Sequence, residues 1–115
     1  MNSYDWEKVF DYTPTTVERY GPNSKYVVLV SNNGQSFAIP REAANLSCIL
    51  WSILRDPSGP PYNDYYIPEL NGAQLKLAVM FLIHEANFLE EDFEFFEAPK
   101  GQEQMLEEVR SILKA

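Results

Sequence analysis

The residues with the clearest capacity for chemistry are five carboxylates in the stretch NFLEEDFEFFEAP, residues 87–99. Paired carboxylates transfer protons as general acids and bases, and converging carboxylate oxygens bind hard cations such as calcium. Both tasks need the oxygens to meet at one point, and nothing in this spacing brings them together. We therefore expect an acidic, solvated segment whose phenylalanine side chains anchor in the core.

The other reactive side chains are isolated. His84, the single histidine, has no second histidine or cysteine at metal-ligand spacing, so we expect it to pack or to bond at a helix end. No serine lies in a nucleophile-elbow sequence. The turn at Gly34 lacks both the length and the Lys-Ser/Thr pair of a phosphate-binding loop. The sequence therefore predicts no enzyme, no cofactor and no metal site, and it leaves surfaces as the functional features.

Length and charge narrow the class of protein. A chain of 115 residues fits one domain with a single core. The formal net charge of −8 disfavours nucleic acid and anionic membranes as partners, because both attract lysine and arginine. The one cysteine, Cys48, cannot form an internal disulfide, and we recognise neither a leader sequence nor a membrane-spanning run. We expect an intracellular protein of the cytoplasm or the nucleus.

A hairpin is predicted at the start of the domain. Residues 26–30 are apolar on both faces, as in a strand that is covered on both sides. Asn33 and Gly34 suit the two positive-φ positions of a type I′ turn, so residues 36–39 are expected to pair back antiparallel. Pro40 then ends the second strand, and its fixed φ suits the entry to a helical segment.

Short elements follow the hairpin. Asn45 or Ser47 can cap a helix over residues 48–55. The stretch DPSGPPYND, residues 56–64, contains too many prolines and glycines for regular structure, so we expect an exposed loop. Residues 65–67 are β-prone and are followed by a proline, which predicts a third strand.

Two longer helices complete the predicted domain. Asn71 can cap the first, with Gln74 returning the hydrogen bond and Leu70 packing against Leu75. This helix is apolar on nearly every face to about residue 86, so we expect it to be central and surrounded. The last helix carries one apolar stripe, formed by Met105, Leu106, Val109, Ile112 and Leu113.

Residues 1–25 differ from the rest, because aromatic side chains alternate with charges and Pro14 and Pro22 interrupt any long element. A short helix over residues 3–10 fits the spacing of its apolar side chains. Two interpretations stay open: this arm packs its aromatic side chains on its own domain, or a partner orders it. The predicted organisation is an arm at 1–25 and a domain at 26–115.

The order of these elements and several short motifs resemble the BTB/POZ superfamily and, within it, the elongin C family of cullin adaptors. The resemblance covers residues 26–113. Its motifs are YVVLVSNNGQSFAIPREAA in the hairpin and first helix, SCILWSIL from Ser47, Ile67 and Pro68 before the long helix, VMF within that helix, and FEFFEAP before the last helix. The resemblance implies an α+β fold with a small three-stranded sheet flanked by helices.

The resemblance also implies three interaction surfaces. A substrate receptor with an apolar box helix would bind a groove formed by Phe81, Phe95, Met105, Leu106 and Val109. A ubiquitin-like partner of the elongin B type would bind along an edge formed by Tyr26, Val28 and Val30. A cullin would face the loop that contains Asp56, Pro57 and Tyr62.

The function that the resemblance implies is a non-enzymatic adaptor of a cullin-type E3 ubiquitin ligase, and the same surfaces would serve a complex in transcription elongation. The last helix departs from the family pattern, because Glu107, Glu108, Arg110 and Ser111 stand where the family has small and apolar residues. The alternative is a BTB-like domain that self-associates or scaffolds another intracellular complex, which predicts a symmetric apolar interface.

Overall fold

The structure is a computed structural model that describes residues 10–11, 13–15, 24–55, 64–87 and 98–114. This part of the chain forms an α+β domain with three strands and four helices. The strands are β1 (Tyr26–Ser31), β2 (Ser36–Pro40) and β3 (Tyr65–Ile67). The helices are α1 (Arg41–Ala44), α2 (Cys48–Arg55), α3 (Gly72–Asn87) and α4 (Glu103–Leu113).

β1 is the middle strand of a mixed sheet. β2 pairs with it antiparallel, with Leu29 opposite Phe37, and β3 pairs with it parallel, with Leu29 opposite Tyr65. Successive side chains along a strand point to opposite faces. The face that carries Val27 and Leu29 belongs to the core, and the helices pack against it.

One apolar core lies between this face of the sheet and the helices. α3 crosses the core and contacts β1, β2, α1 and α4, which confirms the prediction of a central helix. Each fully buried aliphatic side chain contributes roughly 1.5–3 kcal/mol of stability relative to an exposed one. Every element supplies buried apolar side chains, which in α1 are the smaller alanines; among them are Val27, Ile39, Ala44, Leu50, Ile67, Leu75, Leu77 and Val109.

The hairpin forms where the sequence predicts it, but the predicted type I′ turn is wrong. In this turn only Gly34 has a positive φ, at 86°. The Gly34 amide donates to the Ser31 carbonyl (3.0 Å), which puts Asn32 and Asn33 at the centre of the turn. Gly34 takes the left-handed position of a three-residue hairpin loop, where a side chain would be strained.

The tip of the hairpin is hydrogen-bonded to the start of α3. Asn33 Oδ1 accepts from the Gly72 amide (2.8 Å) and from the Ser31 hydroxyl (2.5 Å). The Asn32 amide donates to the Leu70 carbonyl (2.9 Å). Gly72 and Ser31 are buried, so these bonds satisfy polar groups that water does not reach. The hairpin and the first turn of α3 are therefore held in one fixed arrangement.

The predicted helix starts are confirmed by side-chain hydrogen bonds. Ser47 Oγ accepts from the Leu50 amide (3.3 Å) and caps α2. Asn71 Oδ1 accepts from the Gln74 amide (2.8 Å), and Gln74 Oε1 accepts from the Asn71 amide (2.9 Å), which is the predicted capping box. The Ser47 hydroxyl also donates to the Leu113 carbonyl (3.0 Å), and this bond links the start of α2 to the end of α4.

Candidate functional site

A groove of about 280 Å³ runs along α3 on the side where α4 begins. Four of its lining residues lie on α3 at positions i, i+3, i+4 and i+7, so they form one stripe along the helix. The other wall comes from the residues just before α4. The lining residues in the described part of the chain are Ala73, Lys76, Leu77, Met80, Pro99 and Gln102. Their apolar atoms form the floor, which suits an apolar side chain of a partner.

Phe10, in the N-terminal arm, packs beside this groove. The Lys76 ammonium lies 5.3 Å from the centre of the Phe10 ring, within the range of a cation–π contact. The Phe10 ring meets Phe37 of β2 edge to face, with the ring centres 5.8 Å apart and the planes at 75°. Phe10 therefore packs on its own domain, as the first interpretation of the arm expects. The other aromatic residues of the arm lie outside the described residues: Tyr4, Trp6, Tyr12 and Tyr20.

The residues that the resemblance assigned to a receptor groove do not all lie on an accessible surface. Phe81, Met105 and Leu106 are half-buried and pack against the core. Val109 is fully buried in that core, so its assignment to an accessible groove needs correction: the side chain completes the packing of α4 on α3. Phe95 lies outside the described residues.

The sequence did not single out the stripe that lines the groove. Because α3 is apolar on nearly every face, its pattern does not tell a buried stripe from an exposed one. The available signal in the sequence was small: the small residue Ala73 and the charged residue Lys76 lie three residues apart in this apolar helix. In the structure both are exposed. Pro99 and Gln102 reach the groove only through the packing of α4, which has no local signature.

The outer face of α4 is charged. Glu107, Glu108, Arg110 and Ser111 are all exposed. The Arg110 guanidinium lies 5.4 Å from the centre of the Phe81 ring, so it partly covers the aromatic side chain that the resemblance assigned to a receptor. A partner that binds here would meet charges instead of an apolar trough.

Tyr26, Val28 and Val30 lie on the sheet face that points away from the apolar core. Val28 is buried, and the other two are half-buried. Tyr66 of β3 stands beside Val30 on the same face and is 57% exposed. β1 is the middle strand, so the expectation of a partner edge needs correction: these side chains offer a partner a sheet face.

The remaining candidates do not form a reactive site in the described residues. Within those ranges, no three His, Cys, Asp or Glu side chains lie close enough together to hold a metal ion. His84 is buried within α3 at 6% exposure, and Cys48 is exposed at the start of α2. The predicted cullin-facing residues Asp56, Pro57 and Tyr62 lie outside the described residues, as do the carboxylates of residues 88–97.

Comparisons with known proteins add no relative: no model of a protein family matches the chain, and no curated protein matches it with significant similarity. In the ranges that the structure describes, none of the helices combines the length and the hydropathy needed to cross a bilayer. The groove and the surfaces around it are therefore the features of this domain that bear on its function.

Proposed function

We propose that the protein is a non-enzymatic adaptor of a cullin-type E3 ubiquitin ligase, which binds an apolar helix end of a substrate receptor in the groove along α3. The groove is the observation that carries the proposal. Leu77, Met80 and Pro99 form an apolar floor, and Lys76 and Gln102 form a polar rim. Helices bind such troughs by inserting a few large apolar side chains while polar contacts at the rim set the orientation.

The order of the elements supports this proposal. A hairpin, two short helices, a short third strand, a long central helix and a final amphipathic helix follow one another along the chain. The resemblance to the BTB/POZ superfamily and to elongin C implies the same order. On this basis we propose a fold of the BTB/POZ, elongin C type, in which the sheet β2-β1-β3 is flanked by helices.

The charged face of α4 determines where the receptor is proposed to bind. A receptor helix on that face would bury Glu107, Glu108 and Arg110, and removal of unpaired charges from water is costly. The groove on the other side of the helix start has no carboxylate among its described lining residues, so an apolar side chain can enter it without that cost. The receptor is therefore proposed to contact α3 and the residues before α4.

The remaining partners of the proposed adaptor bind elsewhere on the domain. A ubiquitin-like protein of the elongin B type is proposed to cover the sheet face formed by Tyr26, Val28, Val30 and Tyr66. A cullin is proposed to contact the segment of residues 56–64, for which the sequence predicts a loop. The proposed location of the assembly is the cytoplasm, the nucleus or both.

Affinity purification of the tagged full chain from its native cells, with mass spectrometry, tests the proposal. The decisive variant is Ala73→Arg, which puts a long charged side chain at an exposed position in the groove. Ser52→Arg is the matched control, because Ser52 is exposed on α2, away from the groove. The wild type and the control should recover a cullin, a ubiquitin-like protein and receptors, whereas Ala73→Arg should lose the receptors and keep the ubiquitin-like protein.

Two outcomes would contradict the proposal. Receptor recovery with Ala73→Arg, at wild-type yield and with an unchanged circular dichroism spectrum, would remove the groove as the receptor site. A wild-type chain that recovers neither a cullin nor a ubiquitin-like protein would remove the adaptor function altogether.

Self-association is the second candidate function, and the exposed Tyr66 side chain favours it. Tyr66 extends the half-buried surface of Val30 across the sheet, and two copies of such a face can form a symmetric interface. Light scattering of the purified chain should then show a dimer or larger, and Tyr66→Lys should convert it to a monomer. A wild-type chain that stays monomeric at high concentration would exclude this function.

A further inference from the structure

Three clefts in the described part of the chain differ in the charged residues that line them. The cleft at the start of α1 includes Glu42 together with Lys25 and Arg41, and the cleft on the outer face of α4 includes Glu107 together with Arg110 and Lys114. Both of these clefts therefore contain a carboxylate of the chain itself. The groove along α3 includes Lys76, and none of its described lining residues carries a carboxylate.

Lys76 is the one charged side chain among the described residues that line the groove. Lys100 follows the groove residue Pro99, and Glu103 follows Gln102, so these two exposed side chains contribute opposite charges near one wall. The other wall is α3, where Lys76 stands among the apolar groove residues. Among its described lining residues, the groove is thus an apolar trough with one cation, Lys76, in a chain of net charge −8.

The Lys76 ammonium lies over one aromatic ring, that of Phe10, at the rim of this groove. An exposed lysine samples many rotamers, and a bound carboxylate must normally order it first. Here the Phe10 ring lies 5.3 Å from the Lys76 ammonium, and the Phe10 ring is itself packed against Phe37 at 5.8 Å between centres. Part of the ordering is therefore complete before any partner binds, which favours binding.

We propose that the segment that binds in this groove carries a carboxylate next to its apolar anchor residue, that Lys76 binds this carboxylate, and that Phe10 is a positioning residue for Lys76. The inference rests on the proposed function, because it names the chemistry of the partner that the groove accepts. Lys76 gives the groove specificity for an acidic and apolar helix end, and the N-terminal arm takes part in that specificity through Phe10.

The overall negative charge of the chain opposes the proposed preference for a carboxylate. A net charge of −8 repels acidic peptides and attracts basic ones at long range, so unspecific binding enriches lysine in a partner. A preference for glutamate that Lys76→Gln removes therefore identifies Lys76 as its source. The sign of the preference therefore separates the proposed contact from the background.

Selection from a displayed library of helical peptides on the immobilised full chain tests the inference. Each peptide carries leucines on one face, and the positions beside them vary among Glu, Gln and Lys. We expect glutamate to exceed glutamine about fivefold at one position next to a leucine on the wild-type chain, the preference that about 1 kcal/mol of ion pairing gives. Lys76→Gln should reduce the ratio to about one, and Phe10→Leu, which keeps an apolar side chain, should at least halve it.

Lys114→Gln, a loss of one exposed lysine at the end of α4, is the control and should leave the ratio of glutamate to glutamine unchanged.

Ala73→Arg separates this inference from the proposed function. Peptide binding that Ala73→Arg abolishes supports the groove as a binding site. If the bound peptides then show no glutamate preference, or a preference that survives Lys76→Gln, the inference is wrong while the groove function stands. If no peptide is enriched, or binding ignores Ala73→Arg, both are wrong. An unchanged ratio in Phe10→Leu removes the positioning role.

Discussion

α3 and α4 are neighbouring helices that are built in opposite ways. The start of α3 is fixed by side-chain hydrogen bonds from Asn71, Gln74 and Asn33, whereas the residue before α4, Gln102, makes no side-chain capping bond. α3 is buried over most of its surface, while α4 buries only Val109 and Leu113 fully.

This difference separates the element that holds the domain together from the element that shapes its surface. α3 joins the sheet, α1 and α4, so its buried side chains determine stability. Its exposed stripe, which includes Ala73 and Lys76, is one wall of the groove. α4 adds little burial but supplies the opposite wall through Gln102 at its start, together with a charged outer face. Substitutions at the buried positions of α3 should therefore unfold the protein, whereas substitutions at the exposed positions Ala73 and Lys76 should mainly change what it binds.

The largest effect is expected for Leu75→Ala in α3. Leu75 is fully buried, so its truncation removes apolar contacts and leaves a cavity that costs about 3 kcal/mol of unfolding free energy. Ile112→Ala in α4 should cost only about 1 kcal/mol, because Ile112 is half-buried and water can fill the space. Urea unfolding followed by circular dichroism measures both. Equal losses for the two variants would contradict the division between the helices.

The second effect is expected at the contact between the hairpin and α3. Asn33→Ala removes the acceptor for the Gly72 amide and the Ser31 hydroxyl, both of which are buried, at a cost of about 2 kcal/mol. Asn33→Asp keeps the acceptor and adds a negative charge near a helix start, so it should remain close to the wild type.

Asn32→Ala is the control in the same turn. Asn32 is exposed, and its side chain donates one long bond to the Pro68 carbonyl (3.3 Å), so its loss should cost under about 0.5 kcal/mol in thermal or urea unfolding. If Asn33→Ala is as mild as Asn32→Ala, the start of α3 does not depend on the hairpin.

The third effect concerns the one buried side-chain hydrogen bond described for α4. Ser47→Ala removes the cap of α2 and the hydroxyl that donates to the Leu113 carbonyl, with an expected loss of about 1.5 kcal/mol. Ser52→Ala, at an exposed position of α2, should change the unfolding free energy by less than about 0.5 kcal/mol. Hydrogen exchange in the last turn of α4 should rise in Ser47→Ala. Unchanged exchange there would show that this bond does not hold the helix end.

Local hydrogen bonds were predictable from the sequence, and long-range ones were not. The capping box of Asn71 and Gln74 joins residues three apart, so it can be recognised from the sequence alone. Asn33 looked like half of a two-residue turn, but its side chain binds Gly72, which lies 39 residues further on. That bond exists only after α3 has packed on the hairpin. The dipeptide of Asn33 and Gly34 carries no sign of this contact, and by itself it favoured the wrong turn type.

The same limit applies to the groove. Periodicity identified α3 as central, and it is. It did not show that Lys76 would lie over Phe10, because the two residues are distant in sequence and meet through the packing of Phe10 on Phe37 of β2. In α4 the apolar stripe was correct, but its pattern did not distinguish Val109, which completes the core, from Met105, which is half-buried.

The smallest effect is expected where the two helices meet through a charge. Arg110→Gln removes the cation that lies 5.4 Å from the Phe81 ring and should cost about 0.5 kcal/mol, since Arg110 is exposed and water weakens the contact. A double-mutant cycle with Phe81→Leu should give a coupling energy of the same size, and Arg110→Lys should retain part of it. A coupling above about 2 kcal/mol would mean that this contact is desolvated, and that α4 holds the domain together as α3 does.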